Sequence, residues 1–354
     1  MIVNYYGGFG TSYGYGSATE QLAIALNEVG VDIRVMRTAG ARGVEMRDDI
    51  TPKGKALLTK TFAKGDVAIC FGHPPFFDVI NSYKYRIGYT MFESDKLPDA
   101  TERNPDWVKQ CNKLTRLWVP SESSKQIFQK AGVTVPIDVV RNGVDPELFP
   151  IYNRPKREVF TFLMYGVLTI RKNPGYALSA FLANFKDNPK VHLILKTQSG
   201  TLGHLSIPEK NVTIIDRKYD HKDLLDLLES ADAFVFPSRG EGFGLPPLEA
   251  MATGLPTIVS ANSGMLEYTN ERYNFPVKCP TLVKTSHVPK HWGDIGNWWQ
   301  PDYEDLKEKM KFVYENQDLA RQKGMDAANW VRQELTWAKA AEKGKAIIEE
   351  MVKQ

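Results

Sequence analysis

Two glutamates in the second half of the chain have the spacing and the setting of a pair that binds hydroxyl groups. Glu241 lies in a glycine-rich loop, and Glu249 follows eight residues later, in what we predict to be the first turn of a short helix. Carboxylates in this arrangement can face one crevice and accept hydrogen bonds from the vicinal hydroxyls of a sugar or a ribose. The alternative is that Glu249 only complements the helix dipole while Glu241 is solvated. The spacing alone leaves both interpretations open.

The loop around Glu241 sits between a predicted strand and a predicted helix. The apolar run Ala233–Phe236 predicts a buried strand, Pro247 is suited to the first turn of the helix, and Gly254 is suited to ending it. Ligands of open α/β sheets bind at the carboxyl ends of the strands, where glycines allow backbone amides to approach an anion. The sequence therefore predicts a ligand site at this loop.

Two cations follow another predicted strand of the same half. Arg171 and Lys172 come shortly after the apolar run Val159–Tyr165. When a nucleoside diphosphate departs, negative charge develops on its phosphate oxygens, and fixed positive groups stabilise that charge. The pair therefore suits a diphosphate site, and the alternative is a solvated basic pair.

The first half of the chain begins with a glycine-rich loop at residues 7–16. Its glycines, Gly14 and Gly16 among them, lead into a predicted helix and suit an anion cradle. Thr19 stands where a G-x-G-x-x-G fingerprint would have its last glycine, so the loop predicts no dinucleotide site. A flexible turn that binds nothing is the alternative.

Three further polar side chains follow predicted strands of the first half. His73 comes shortly after Asp66–Phe71, and Glu93 and Asp95 come shortly after Arg86–Met91. Because ligands bind at the carboxyl ends of the strands in such sheets, His73 is expected on the cleft side of the first domain, and Glu93 and Asp95 are candidates for the acceptor side. The alternatives are a structural histidine and carboxylates that only cap a helix.

Short apolar runs alternate with amphipathic segments in both halves, which predicts two doubly wound parallel sheets covered by helices. Ser17 and Glu20 form a capping box ahead of an apolar stripe, so we expect a helix to begin there, and Ser121 is placed to cap a later one. The other predicted strands are Val31–Met36, Arg116–Val119, Ile137–Val140, Val191–Lys196, Val212–Ile215 and Pro256–Val259.

The proline-containing stretch after the predicted strands of the first half indicates a connector between two domains. We place the boundary near residue 150. The predicted domains are residues 1–150 and residues 151–335. Residues 336–354 are predicted to form a last helix that can fold back on the first domain, and the aromatic loop around Trp292 is expected to be buried against the closing helices.

Composition limits the function classes. With a formal net charge of +3 and 25% charged residues, the chain lacks the concentrated positive charge of most nucleic-acid binders, so a nucleic-acid acceptor is permitted but unsupported. Three scattered cysteines, and the lack of Asp-x-Asp and His-Glu-x-x-His motifs, favour neither a disulfide framework nor a metal site. No apolar run approaches the ~20 residues of a membrane span. We expect a cytoplasmic protein that can still contact a membrane peripherally.

A longer motif surrounds the two glutamates. It runs from Glu241 through Gly-Phe-Gly-Leu-Pro to Glu249 and continues as Glu-Ala-Met-Ala-x-Gly-x-Pro, and it resembles the donor-site signature of the family-4 retaining glycosyltransferases. The resemblance implies a GT-B fold, in which two Rossmann-like domains face each other across a cleft. It implies that Glu241 contacts hydroxyls of the transferred sugar and that Glu249 holds the nucleotide ribose. It also implies that the backbone amides of Phe243, Gly244 and Leu245 approach the donor.

The resemblance extends to other residues of the second half. Lys172 matches the family lysine. Val167 stands where many members have an arginine, so Arg171 is assigned the second positive charge. Ser263 lies in a stretch that resembles the small-residue loop shaping the donor pocket.

In the first half the resemblance is looser. His73 matches a family histidine near the transferred sugar, and Gly14 and Gly16 match a loop whose amides cover the diphosphate or the sugar. The resemblance also implies a reaction that needs no metal and no other cofactor.

The residues and the resemblance together predict a retaining glycosyltransferase that moves a sugar from a nucleoside-diphosphate-sugar donor to a hydroxyl acceptor, in glycan biosynthesis or polymer modification. Two alternatives stay open: a non-catalytic module that binds nucleotide sugars, and a nucleotide-dependent oxidoreductase, against which the missing dinucleotide fingerprint counts. The acceptor is open between a lipid-linked glycan, a cell-wall polymer, a small metabolite and a hydroxylated base in DNA.

Overall fold

A computed structural model describes residues 1–9, 14–37, 50–198 and 209–353 of the chain, which divides into two compact units. The first unit comprises Met1–Asp145, Val288–Gly296 and Leu335–Gln354, and the second comprises Pro146–His287 and Asn297–Glu334. The first segment of the first unit thus ends at Asp145, close to the boundary that the sequence predicts near residue 150. Residues 288–296 belong to the first unit, although we had placed them in the second domain.

Within the described residues, each unit contains a six-stranded sheet whose neighbouring strands are all parallel. The first sheet has the order β2-β1-β3-β4-β5-β6 and the second has the order β12-β11-β10-β7-β8-β9. The strands of the first unit are β1 (Ile2–Gly7), β2 (Asp32–Arg37), β3 (Val67–Phe71), β4 (Tyr85–Tyr89), β5 (Arg116–Val119) and β6 (Ile137–Val139). Those of the second are β7 (Phe160–Tyr165), β8 (Val191–Thr197), β9 (Val212–Asp216), β10 (Ala233–Phe236), β11 (Thr257–Ser260), β12 (Phe275–Val277) and the antiparallel pair β13 (Thr281–Lys284) and β14 (Asn297–Gln300).

Helices connect the strands, so the predicted pair of doubly wound α/β units is confirmed. They are α1 (Gly14–Glu28), α2 (Pro52–Leu58), α3 (Trp107–Cys111), α4 (Glu122–Lys130), α5 (Pro174–Phe185), α6 (His221–Ser230), α7 (Leu245–Ala252), α8 (Tyr303–Glu315), α9 (Gln317–Glu334) and α10 (Trp337–Lys353). The predicted cap at Ser121 is also confirmed, because its hydroxyl accepts a hydrogen bond from the amide of Ser124 at 3.1 Å.

The first helix begins earlier than the sequence predicted. α1 already includes Gly14, so Ser17 lies inside the helix, and the capping box predicted at Ser17 and Glu20 is wrong. The Glu20 carboxylate accepts hydrogen bonds from the backbone amide and the hydroxyl of Thr51, at 3.2 and 3.0 Å. Glu20 therefore ties α1 to the residue that caps α2.

β10 and α7 form where the sequence predicted them. All four residues of β10 are buried, as in the central strand of a parallel sheet. Gly244 precedes α7 with a φ of +89°, a conformation that glycine adopts without a steric cost, and prolines occupy the first turn. Gly254 follows the helix with a φ of +80°. This strand, loop and helix carry both glutamates of the predicted site.

α10 packs in the first unit, against α1 and β5. The Lys345 ammonium donates a hydrogen bond to the carbonyl of Val29 at 2.7 Å, just beyond the end of α1. Gly344 lies against the ring of Trp118 in β5, and a Cβ at this glycine would lie 2.9 Å from that ring. The core of the first unit therefore includes a helix contributed by the last residues of the sequence.

Residues 288–296 connect β13 to β14 and pack in the first unit. Trp292 makes edge contacts with His73 and Trp107, with ring centroids 5.6 and 6.0 Å apart, and a tilted contact with Phe92 at 5.7 Å. The amide of Asp99 donates to the carbonyl of Trp292 at 3.0 Å. For Trp292, the expected burial against the closing helices is wrong, because these partners come from the loops after β3 and β4 and from α3.

Candidate functional site

Glu241 lies in the loop after β10 with two cations beside it. Its Oε1 atom is 2.9 Å from Nη1 of Arg171 and 3.6 Å from Nζ of Lys172. The Ser238 hydroxyl donates a hydrogen bond to the same oxygen at 2.8 Å. Arg171 also donates to the carbonyl of Gly240, in the same loop. The fold therefore brings together a carboxylate and two cations that are distant in the sequence.

The charge state of Glu241 follows from this environment. Burial opposes ionisation of its carboxyl, but the positive charges of Arg171 and Lys172 and the hydrogen bond from Ser238 outweigh burial, so the pKa of Glu241 lies below its usual value. The carboxyl is therefore ionised at neutral pH. An ionised carboxylate only accepts hydrogen bonds, which suits it to hydroxyl donors.

The conformation of the loop after β7 positions Lys172. Gly166 has a φ of +136°, and a Cβ there would lie 3.4 Å from the Lys172 ammonium. That ammonium lies 4.9 Å from the ring centroid of Phe236, the last residue of β10. Asn173 then adopts a left-handed conformation with a φ of 60° before α5 begins. β7 and β10 flank the point at which the strand order of the second sheet reverses, and this is where ligands bind in open α/β sheets.

Close backbone packing fixes the loop that carries Glu241. A Cβ at Gly264 would lie 2.1 Å from the carbonyl oxygen of Gly242, so the loop after β11 approaches this closely only because it has a glycine there. The preceding residue, Ser263, accepts a hydrogen bond from the amide of Glu241 at 2.9 Å. The structure thus places Ser263 against the site, and its predicted contact with the donor stays a prediction.

The three residues predicted to offer amides to the donor lie at the start of α7. Phe243 is buried with its ring 5.7 Å from that of Tyr268, so its side chain belongs to the core. Gly244 is the residue before the helix, and its carbonyl accepts a hydrogen bond from the Tyr268 hydroxyl at 2.8 Å. Leu245 is the first helical residue. Amides at such a terminus are suited to an anion.

Glu249 lies in the second turn of α7, so its predicted place in the first turn is wrong. The Tyr165 hydroxyl donates to Oε2 of Glu249 at 2.6 Å and lies 3.1 Å from the carbonyl of Pro246. Because the helix dipole acts mainly on the terminal turn, a role limited to the dipole does not fit this position. Glu249 is instead held at the end of β7 by Tyr165.

Glu241 and Glu249 both affect the pKa of Tyr268. Burial raises the pKa of Tyr268 well above its usual value, and both carboxylates raise it further. Burial likewise raises the pKa of Tyr165, with a further contribution from Glu249. Both glutamates therefore lie near the same tyrosine hydroxyl, as a shared site requires.

The glycines predicted to cradle the diphosphate open α1 in the first unit. Gly14 is exposed, with open space beside its Cα, and Gly16 is buried. The part of the glycine-rich loop at residues 10–13 lies outside the described residues. The role of the two glycines toward a donor stays a prediction.

His73 lies at the end of β3, in an aromatic cluster formed by Tyr15, His73, Phe92, Trp107 and Trp292. Its ring stacks on Trp107 at 5.2 Å and meets the edge of Tyr15 at 5.2 Å. Burial lowers the pKa of His73 to about 4. The imidazole is therefore neutral at pH 7, so it can exchange hydrogen bonds but carries no positive charge there.

Glu93 and Asp95, the predicted acceptor-side carboxylates, are half-buried in the loop after β4. Asp95 packs against Gly296, where a Cβ would lie 2.0 Å from its Oδ1 atom. No helix begins in this loop within the described residues until α3, whose cap is Asp106. The interpretation of Glu93 or Asp95 as a helix cap is therefore wrong, and their contact with an acceptor stays a prediction.

Three site residues escaped the sequence analysis: Tyr165, Ser238 and Tyr268. Tyr165 ends β7, and Ser238 follows two residues after β10, so both stand at carboxyl ends of strands, a signal that could have identified them. Tyr268 comes from a loop whose approach to α7 depends on Gly264, and no local pattern indicates it.

Among the described residues, no group of three or more His, Cys, Asp or Glu side chains is placed to hold a metal ion. In the same part of the chain, no helix is both long enough and apolar enough to cross a membrane.

Sequence comparison supports the interpretation of the second half. Residues 195–343 match the family described as "Family 4 Glycosyltransferase in conflict systems". The chain is 32% identical over 168 residues to the UDP-Gal:alpha-D-GlcNAc-diphosphoundecaprenol alpha-1,3-galactosyltransferase of Escherichia coli, a match that covers 42% of this chain and 43% of that protein. The chain therefore spans less than half the length of this curated relative.

Solved structures share the fold over the whole chain. The sucrose-phosphate synthase of Thermosynechococcus elongatus superposes with a TM-score of 0.73 at 16% identity and full coverage of both chains. The Anabaena HepE protein, solved in complex with UDP and glucose, gives a TM-score of 0.68 at 13% identity, covering 99% of this chain and 100% of that one. The predicted GT-B fold is thereby confirmed. The match over residues 195–343 and the shared fold both agree with the resemblance to family-4 glycosyltransferases that the motif around Glu241 indicates.

Proposed function

We propose that this chain is a retaining, metal-independent glycosyltransferase that transfers a sugar from a nucleoside-diphosphate sugar to a hydroxyl acceptor. The observation that carries the proposal is the ionised Glu241 carboxylate held against Arg171 and Lys172 at the strand-order reversal of the second sheet. A carboxylate that accepts hydrogen bonds from hydroxyls, next to cations that bind phosphates, matches the sugar and the diphosphate of such a donor.

The contacts suggest how the donor would lie. The ion pairs and the Ser238 hydrogen bond all engage Oε1 of Glu241, which leaves its second oxygen to accept from sugar hydroxyls. The diphosphate would lie by Lys172, Arg171 and the start of α7. Glu249, oriented by Tyr165, would accept from the ribose hydroxyls. Binding energy from the remote ribose would then serve to position the reacting carbon.

The transfer itself needs little covalent chemistry from the protein. The bond between the anomeric carbon and the phosphate oxygen breaks, and the acceptor oxygen bonds to the same face of that carbon. The acceptor proton passes to the departing phosphate oxygen, and Lys172 and Arg171 stabilise the charge that develops there. This route retains the anomeric configuration.

For the acceptor we propose no more than a hydroxyl group. By its printed name, the Escherichia coli relative transfers galactose to a diphosphoundecaprenol-linked sugar. A lipid-linked acceptor of that kind would bring this protein to a membrane surface, which a peripheral contact would allow.

Donor hydrolysis in the absence of acceptor tests the proposal. We expect slow release of nucleoside diphosphate by the wild type and a loss of about a hundredfold or more in Glu241→Gln, because the carboxylate charge is removed without a change of size. Glu271→Gln, at an exposed glutamate of the same unit, is the matched control and should behave as wild type.

Three results would contradict parts of the proposal. If the protein binds a nucleotide sugar tightly but releases nucleoside diphosphate from none of the common donors, a non-catalytic binding module would be favoured. A product with inverted anomeric configuration by NMR would exclude retention. Activity that disappears in EDTA and returns with a divalent cation would exclude a metal-independent reaction.

A further inference from the structure

Lys196 is a buried cation close to the site that the proposed reaction does not yet use. It is next to last in β8, and only 7% of its surface is exposed. Within the described residues, no hydrogen bond or ion pair reaches its ammonium group. Burial lowers the pKa of Lys196, which shows how poorly the surrounding protein replaces water around the charge. A buried charge without a hydrogen-bond partner is costly, and a bound ligand that accepts a hydrogen bond would reduce that cost.

The immediate neighbour of Lys196 is an aromatic ring. Its ammonium lies 4.7 Å from the ring centroid of Tyr219, and the guanidinium carbon of Arg217 lies 5.0 Å from the same centroid. Asp216 and Asp223 attract the ammonium only through longer-range electrostatics. The Tyr219 ring therefore offers a flat face beside the ammonium, on which a planar base can stack.

The order of the strands places Lys196 at one end of a row that also contains Glu241 and Lys172. In the second sheet β10, β7 and β8 are neighbours in this order; Glu241 and Lys172 lie in the loops after β10 and β7, and Lys196 is the next-to-last residue of β8. Neighbouring strands lie about 4.8 Å apart, so Lys196 is roughly 10 Å along the edge from the Glu241 loop. A donor with its sugar at Glu241 and its diphosphate at Lys172 would extend its remaining part, the nucleobase, over β8 and β9.

We propose that Lys196 is a specificity-determining residue whose ammonium donates a hydrogen bond to a carbonyl oxygen of the donor's nucleobase, beside the Tyr219 ring. This proposal rests on the proposed function and assigns the base end of the same donor. An ammonium group only donates hydrogen bonds. At the edge where uracil, thymine and guanine carry a carbonyl oxygen, adenine carries an amino group that cannot accept from an ammonium group, so Lys196 favours the first three bases over adenine.

Calorimetric titration of the full chain with UDP, GDP, ADP and inorganic pyrophosphate tests this assignment. We expect the wild type to bind UDP or GDP more tightly than ADP. Lys196→Met keeps the aliphatic stem and removes the charge, and it should weaken the preferred nucleotide about tenfold or more. ADP and pyrophosphate should change less than about threefold, because neither has a carbonyl oxygen. Lys222→Met, at an exposed lysine of the same unit, is the matched control.

A second variant keeps the test independent of folding. Lys196→Gln retains a donor and adds an acceptor, so it should reduce the preference for UDP or GDP over ADP while still binding nucleotides. Both variants should unfold thermally at or above the wild-type temperature, because the unpaired buried charge is gone.

Three outcomes would overturn the assignment of Lys196: a wild type that binds ADP as tightly as UDP and GDP, an unchanged preference in both variants, or an equal loss for pyrophosphate and nucleotides in Lys196→Met. The last would place a phosphate at Lys196. Failure of the proposed function looks different, since then no nucleoside diphosphate would bind the wild type and Glu241→Gln would have no effect.

Discussion

Tyr165 anchors Glu249 through a hydrogen bond of 2.6 Å, and its ring packs on Phe234 with centroids 5.2 Å apart. Tyr165→Phe removes the hydroxyl and keeps the ring in place. We expect KM for the donor to rise about fivefold and kcat to change less than twofold, because the lost hydrogen bond, about 1 kcal/mol, orients a carboxylate remote from the reacting carbon. Steady-state kinetics of donor hydrolysis measures both constants.

The control for this variant is Tyr273→Phe. Tyr273 stacks on Trp330 at 4.7 Å, in the same unit, and none of its described contacts involves either glutamate. Its kinetics should match the wild type. An unchanged KM in Tyr165→Phe would show that Glu249 needs no such anchor.

His73 makes stability depend on pH in a defined direction. Burial lowers its pKa from 6.5 in the unfolded chain to about 4 in the folded one, so between these values the unfolded state binds more protons. Stability is therefore lost as the pH falls below 6.5. We expect this residue alone to lower the free energy of unfolding by about 2 kcal/mol between pH 7.5 and pH 5.

His73→Phe keeps an aromatic ring in the cluster and removes the titration. Urea unfolding at the two pH values should give a decrease smaller than that of the wild type by about 2 kcal/mol. An equal decrease in both proteins would mean that the imidazole is already protonated in the folded state at pH 5.

Residue types predicted the site only in part. Glu241 and Lys172 were identified through a motif, but their pairing is a tertiary contact between loops after different strands, which no spacing specifies. The position of Glu249 was predicted one turn too early, because the helix was expected to begin near Pro247, whereas it begins at Leu245. Ser238 and Tyr268 became visible only with the fold.

At the scale of elements, the loop after β11 can approach the loop after β10 this closely because Gly264 has no side chain. Gly264→Ala would place a Cβ 2.1 Å from the carbonyl oxygen of Gly242 and 2.7 Å from the amide nitrogen of Phe243, and backbone atoms cannot rotate away. We expect the free energy of unfolding to fall by about 2–3 kcal/mol, measured by urea unfolding, and nucleotide binding to weaken with it.

Gly175→Ala is the matched change in the first turn of α5. A Cβ there meets no atom within 4 Å, so alanine should leave stability unchanged or raise it by up to about 1 kcal/mol. If the two variants were equally stable, the close packing at Gly264 would not be needed to form the loop.

Elements with strong local signals were predicted well. The bounds of β5 and β10 match the prediction, because each is a compact run of mostly apolar residues. β13 was missed because its residues are largely exposed and show no clear alternation of apolar and polar side chains. The start of α1 was misplaced because Ser17 has the type of a cap, and the side-chain pattern does not show that the helix continues past it towards Gly14.

At the scale of the whole molecule, hydrogen exchange can locate the nucleotide site. With a saturating nucleoside diphosphate, we expect slower exchange in peptides covering residues 165–173, 236–250 and 260–268, because bound ligand stabilises the loops of the second unit. Peptides from α10 should exchange as before. Protection confined to the first unit would contradict the placement of the donor at Glu241.

The α/β organisation of the whole chain followed from alternating strands and helices, but the membership of residues 288–296 did not. Trp292 packs with His73, Phe92 and Trp107, and each of these contacts joins residues far apart in the sequence. Aromatic residues fill cores anywhere in a protein, so their type could not indicate which core receives them.

The contribution of α10 to the first unit has a consequence for biosynthesis. On the ribosome, β1 to β6 emerge before the second unit, whereas Gly344 and Lys345, which cover Trp118 and Val29, emerge only after it. The nascent first unit must therefore wait with part of its apolar surface open while the entire second unit is translated, although domains generally fold as units in N- to C-terminal order. Of the two units, the first is thus exposed to chaperones and proteases for longer.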